Sequence, residues 1–136
     1  MANDEVPIID RTDRDIVTYG QRQFAKQKQT SHQFSYIRQK MRELGWFLLK
    51  AGSVDPEVRH VRDCIDPQKF YLCVSAVQML CGFDEKTMKY VTPSLANKIG
   101  QSLHKVAKQV RIDALSSRDK DLQEKAEHYF IVYKEE

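Results

Sequence analysis

The chain has 136 residues, a length that suits one compact domain burying roughly two-thirds of its unfolded surface. Hydrophobic residues make up 41% and charged residues 30%, the balance of a globular protein, and no apolar run approaches the about 20 residues that a membrane span needs. With five glycines and four prolines, the composition favours helices over a β-fold with many turns, and it excludes a membrane-spanning protein.

The net charge of +3 is small, but the positive charge is concentrated in part of the chain. Residues 11–50 contain nine lysines and arginines against three acids, and no acid occurs in residues 86–112. A local excess of positive charge is typical of a surface that binds an acidic partner. The alternative is a basic surface that is merely solvated, which is what charge runs usually are.

The first elements are predicted from caps and helical spacing. Residues 1–12 have no periodicity and are predicted to form a flexible N-terminal arm, followed by a single helical domain over residues 13–134. A first helix is predicted from Asp13, as its cap, to about Lys28, with Gly20 packed closely by a neighbour. A second helix is predicted from Ser31 to Ala51, ended by Gly52. Its core stripe is Phe34, Ile37, Met41, Leu44 and Leu48.

The middle of the chain predicts two further helices. Asp55 and Pro56 favour a short helix over residues 56–62. A clearer helix begins after Asp66 and ends at Gly82 in the left-handed cap position, with Phe70, Cys73, Val74, Val77, Leu80 and Cys81 facing inward. Residues 83–91 are predicted to be a loop.

Two long helices complete the predicted domain. Thr92 and Pro93 open the first of them, whose apolar stripe is Leu95, Ile99, Leu103, Val106, Val110 and Ala114. The last runs from about Arg118 to Lys134, with Leu122, Ala126, Tyr129, Phe130 and Tyr133 inward. We therefore predict an all-α compact bundle of five or six helices with no strand.

The residue inventory predicts a protein that is not an enzyme and has no cofactor. No glycine-rich phosphate loop and no nucleophile elbow occurs, and the four histidines form no metal-binding pattern. The three cysteines, Cys64, Cys73 and Cys81, have no metal-type spacing and are predicted to be reduced thiols. They favour a nuclear or cytoplasmic location over a secreted one.

Basic side chains on two helices are the candidate site. Long cationic side chains on rigid helices suit contacts with phosphates, and Gln101 and Ser102 could add neutral hydrogen bonds. On the second helix, about 100° per residue places Arg38 and Arg42 on one flank and Lys40 on the other. The predicted DNA-binding residues are Arg38, Lys40, Arg42, Lys98, Gln101, His104, Lys105, Lys108 and Arg111.

Three ordered stretches carry a resemblance: "SHQFSYIRQKMRELGWFLL", "RDCIDPQKF" and "AVQMLCGFDEKTMKYVTPSLANKIGQSLHKVAKQV". The chain resembles the N-terminal helical region of transposon-derived, Crypton-like tyrosine recombinase proteins of animals, over about residues 13–134. By position this region is similar to the core-binding domain of those recombinases, a SAM-like helical bundle that clamps DNA. The resemblance supplies no residue-level DNA contacts, and neither Tyr129 nor Tyr133 is assigned as a nucleophile.

What the resemblance implies is a non-catalytic domain that binds double-stranded DNA through its phosphate backbone in the nucleus. The alternative is a module for protein–protein interaction or oligomerisation in a domesticated transposon protein, with a second copy or another protein as partner. Whether a catalytic domain follows in the native protein stays open. The dependence of binding on salt concentration distinguishes the two functions. Phosphate contacts weaken steeply as the salt concentration rises, whereas an apolar interface does not.

Overall fold

A computed structural model describes residues 12–26 and 31–135. These residues form five α-helices of twelve residues or more and one short hairpin. The helices are α1 (Arg14–Lys26), α2 (Ser31–Val54), α3 (Phe70–Cys81), α4 (Pro93–Ser117) and α5 (Lys120–Glu135). The hairpin pairs β1 (Phe83–Asp84) with β2 (Lys89–Tyr90) in antiparallel register. The predicted all-α bundle is confirmed, whereas the prediction that it has no strand is wrong because of this hairpin. The predicted arm, apart from Thr12, and the predicted end of the first helix at Lys28 lie outside the described residues.

All five helices contribute to one hydrophobic core. α4 contacts each of the other four helices and packs most extensively against α5. Tyr19 of α1, Phe47 of α2, Ile99 of α4 and Tyr129 of α5 are among the largest side chains that the core encloses almost completely. The predicted stripe of α4 is confirmed, since Ile99, Leu103, Val106, Val110 and Ala114 are buried and Leu95 is partly buried against the core. α4 is therefore held on several sides, which fixes the direction of its polar residues.

The residues predicted to begin and end helices have this role in most cases. The Asp13 carboxylate accepts the backbone N–H groups of Asp15 and Ile16, each at 3.1 Å, and so caps α1. Gly82 ends α3 with a φ of 68°, in the left-handed region. Pro93 is the first residue of α4, but the Thr92 hydroxyl donates to the carbonyl of Cys81, at 3.1 Å, and does not cap the helix. This bond joins the start of α4 to the end of α3.

Side-chain bonds to the backbone explain where the predicted elements were wrong. Residues 56–60 are not helical, because the Asp55 carboxylate accepts the Glu57 N–H and the Asp63 carboxylate accepts the N–H groups of Arg59 and His60. Two 3₁₀ turns, Val61–Cys64 and Pro67–Lys69, follow.

Three helix boundaries and one loop also differ from the prediction. The helix predicted to begin after Asp66 begins at Phe70, because a 3₁₀ turn comes first. α2 continues past Gly52 to Val54. Arg118 adopts a left-handed φ of 58° and ends α4, so the last helix begins at Lys120 after an Asp119 cap. Within residues 83–91, predicted to be a loop, Phe83 pairs with Tyr90 in the hairpin, and their rings lie 5.1 Å apart. The cross-strand aromatic pair explains why so short a hairpin forms here.

Two glycine-to-alanine substitutions are expected to change stability in opposite directions. Gly82→Ala should destabilise the protein by roughly 1–2 kcal/mol, because an L-residue is disfavoured at positive φ and its Cβ would lie 3.1 Å from Val91. Gly100→Ala, inside α4 and with its nearest neighbour at 3.7 Å, should stabilise it by up to about 1 kcal/mol. Urea unfolding followed by circular dichroism measures both. Equal effects of the two substitutions would contradict the assigned left-handed cap.

Candidate nucleic-acid interface

The polar residues of α4 divide into those that join neighbouring helices and those that reach the surface. Ser102 is buried, with its hydroxyl 3.3 Å from that of Tyr19. Gln109 is also buried and donates to the carbonyl of Asp15 at 2.9 Å. Both therefore attach α4 to α1, and Ser102 is not available for the hydrogen bond to a ligand that the sequence suggested.

Lysines from three helices converge on Lys105. Its pKa is lowered from the ordinary lysine value, first by partial burial and then by repulsion from the charges of Lys40 and Lys26, with a further contribution from Lys108. Lys26 is the last described residue of α1, Lys40 lies on α2, and Lys105 and Lys108 are one turn apart on α4. We call these four residues, Lys26, Lys40, Lys105 and Lys108, the lysine surface.

Lys40 is the most enclosed member of the lysine surface. Only 8% of its surface is exposed, and its ammonium lies 4.6 Å from the centre of the Tyr36 ring, a cation–π contact. Among the described residues no carboxylate comes within ion-pair distance of Lys40, Lys105 or Lys108. The positive charge of this surface is therefore not cancelled by direct ion pairs in the described parts of the chain.

Lys98 lies near a buried carboxyl that is also close to Lys40. Glu43 of α2 is only 4% exposed, and its Oε1 atom has no hydrogen-bond partner among the described residues. Burial raises the pKa of Glu43, while the charge of Lys98, a hydrogen bond from Gln39 and the charge of Lys40 oppose the rise. Glu43 therefore lies between the surroundings of Lys98 and those of Lys40, a member of the lysine surface.

His104 and Arg111 face α5 and not the lysine surface. The His104 ring lies 5.1 Å from that of Phe130 and 5.2 Å from that of Tyr133, measured between ring centres. The Arg111 Nε atom lies 3.8 Å from a carboxylate oxygen of Glu127. These two predicted site residues thus take part in the packing of α4 against α5.

The remaining predicted residues are exposed and separate from that cluster. Arg38 and Arg42 are exposed on α2, about 200° around the helix from Lys40. Gln101 is exposed on α4. Of the nine predicted residues, the structure thus brings together Lys40, Lys105 and Lys108, to which it adds Lys26 and Tyr36. The sequence signal that was missed is the spacing of Tyr36 and Lys40, four residues apart on one helix face.

A second polar cluster joins α1, the turn at Val61–Cys64 and α4. Arg62 donates to both carboxylate oxygens of Asp15, at 2.9 and 3.0 Å, and to Asp113 at 2.8 Å. Arg14 also donates to Asp113, at 3.1 Å. The hydrogen bond from Arg62 is the main reason that the pKa of Asp113 is lowered. These carboxylates are bound by arginines, so the cluster holds α1, the turn at Val61–Cys64 and α4 together.

In comparisons with known proteins, no family model, no curated protein and no solved structure matches the chain. The described residues contain no group of three or more histidine, cysteine or acidic side chains able to hold a metal ion. None of their helices has the length and apolar character to span a membrane. The position and charge of the lysine surface are therefore the main structural basis for a functional proposal.

Proposed function

We propose that this all-α domain binds double-stranded DNA through the phosphate backbone, without catalysis, and that the lysine surface makes the contacts. The observation that carries the proposal is that Lys26 of α1, Lys40 of α2 and Lys108 of α4 all lie close enough to Lys105 to repel its charge. Among the described residues no carboxylate lies within ion-pair distance of Lys40, Lys105 or Lys108. Lysine ammonium groups on rigid helices match the repeated charge of a phosphate backbone.

The electrostatics of Lys105 support an anionic ligand. The lowered pKa of Lys105 means that its charged form is disfavoured by partial burial and by neighbouring lysines. A phosphate placed among these ammonium groups relieves the repulsion, so part of the binding free energy comes from removing an unfavourable interaction in the free protein. A merely solvated surface would be expected to mix charges of both signs, which is how exposed helices usually pair their side chains.

The resemblance to the core-binding region of Crypton-like tyrosine recombinases belongs to the same proposal. In such a protein the helical region holds DNA while a separate catalytic domain cuts it, and a nuclear location follows from that role. The stretches that carry the resemblance contain Lys40, Lys105 and Lys108, so both arguments for DNA rest in part on the same residues.

Duplex DNA binding is expected to depend steeply on salt. If about three or four phosphates are contacted, the logarithm of the association constant should fall with the logarithm of salt concentration with a slope of roughly −2.7 to −3.6. Fluorescence anisotropy with a labelled duplex, repeated over a series of salt concentrations, measures the slope. Absence of binding at low salt would refute the proposed function.

A protein-interaction or oligomerisation module is the second candidate, and the groove between α4 and α5 favours it. The groove has a volume of about 620 Å³ and is bordered by Ile112 and Ile131, which are 49% and 58% exposed. Exposed apolar side chains grouped in this way are typical of protein-binding surfaces. Sedimentation at low and high salt distinguishes the candidates, because self-association through apolar area persists when phosphate contacts are screened.

A further inference from the structure

An exposed aromatic ring lies within the basic surface. Tyr36 on α2 is 53% exposed, although one of its neighbours, Lys40, is nearly buried. The Lys40 ammonium lies 4.6 Å from the centre of the Tyr36 ring, and Lys40 is itself close enough to Lys105 to repel its charge. The ring is thus placed beside a lysine that belongs to the surface of the proposed phosphate contacts.

We infer that Tyr36 is a stacking platform for an unpaired base, so that the domain binds DNA containing unpaired nucleotides more tightly than uninterrupted duplex. This inference rests on the proposed function and narrows its substrate class. In intact duplex each base is stacked between its neighbours, and only phosphates and sugars reach the lysine surface. An unpaired base next to bound phosphates can turn out of the helix and lie against the exposed ring.

The neighbouring lysines strengthen such a platform in two ways. Surfaces that bind single strands combine positive charge, which follows the backbone, with aromatic side chains on which bases stack. The Lys40 ammonium restrains the tyrosine ring through the cation–π contact, so less side-chain freedom is lost when a base stacks on it. Stacking is tolerant of base identity, so the inference predicts a preference for DNA structure and not for a sequence.

Three labelled duplexes of equal length test the inference by fluorescence anisotropy at one low salt concentration. The first is uninterrupted, the second carries unpaired thymidines in one strand, and the third carries abasic residues at the same positions. The wild-type protein is expected to bind the thymidine duplex roughly 5- to 100-fold more tightly than the uninterrupted one. The abasic duplex should bind like the uninterrupted one, because it has the same flexibility at the bulge but offers no base to stack.

Variants separate stacking from charge. Tyr36→Ala should reduce the preference, measured as the ratio of the affinities for the thymidine duplex and the uninterrupted duplex, to less than about twofold, and Tyr36→Phe should retain the preference. Tyr71→Ala is the matched control, since Tyr71 is 66% exposed and lies on α3, which contributes no residue to the lysine surface. Circular dichroism shows that each variant keeps its helical content.

The failures of the two proposals can be told apart. Equal affinity for all three duplexes, or a preference that survives in Tyr36→Ala, would overturn the stacking role and leave backbone binding in place. A preference for the abasic duplex equal to that for the thymidine duplex would also overturn it, because flexibility alone would then explain the result. If no duplex is bound, the proposed function fails and the stacking role fails with it.

Discussion

Replacing Arg62 with methionine is expected to destabilise the protein by about 2–4 kcal/mol. The substitution leaves Asp15, which is almost fully buried, without its two hydrogen bonds, and removes one of the two arginines that contact Asp113. Loss of one partner from a fully buried ion pair costs about 3–5 kcal/mol, and Arg62 keeps 24% of its side chain exposed, so we expect a somewhat smaller effect. Urea unfolding at neutral pH measures the difference.

Arg59→Met is the matched control for this prediction. Arg59 is exposed, close in sequence, and makes no ion pair among the described residues, so its substitution should change stability by less than about 0.5 kcal/mol. Similar losses in both variants would mean that the cluster around Arg62 has no special role in the fold.

Acid should reduce the effect of the Arg62 substitution. Because the pKa of Asp113 is lowered from its ordinary 3.8, the stability that its charge contributes is fully present above that value and is lost as pH falls through the lower folded-state pKa. The wild-type protein should therefore lose the part of its advantage over Arg62→Met that comes from Asp113 as pH decreases below about 4. A difference that stays constant down to the acid transition would exclude this electrostatic explanation.

Reversing three charges of the lysine surface is expected to abolish most DNA binding. Lys26→Glu, Lys105→Glu and Lys108→Glu alter exposed positions, so the fold should be retained. Each lost phosphate contact should lower the salt dependence by about one unit of slope, and the combined affinity at low salt should fall roughly 100-fold or more. Anisotropy with the uninterrupted duplex measures the affinity, and circular dichroism measures the helical content.

A control with the same change in net charge tests whether position matters. Lys86→Glu, Lys89→Glu and Lys120→Glu alter three exposed lysines, of which two lie in or beside the hairpin and one begins α5. Their combined substitution should weaken DNA binding only through the lower overall charge, by much less than the first set. Equal losses would show that binding depends on net charge and not on the lysine surface.

The structure brings together only some of the predicted DNA-binding residues, which shows how far helical spacing can predict the residues that share a surface. Helical spacing correctly placed the core stripe of α4, since the period of 3.6 residues determines which side chains share a face. It did not show that Ser102 is buried against Tyr19. It did not separate Lys105 from His104, which are adjacent in the sequence. Lys105 faces the lysines of α1 and α2, whereas His104 packs against Phe130 and Tyr133 of α5.

The sequence by itself determined the helical class, the core stripes and most helix ends, because hydrophobic period, Asp13, Gly82 and Pro93 act through local geometry. Only the tertiary structure decided which lysines lie together and which arginines pair with which carboxylates. Arg62 meets Asp15 and Asp113 across separations of 47 and 51 residues, and Lys26 approaches Lys105 from another helix. Electrostatic interactions depend on distance in space and on burial, and helix packing sets both.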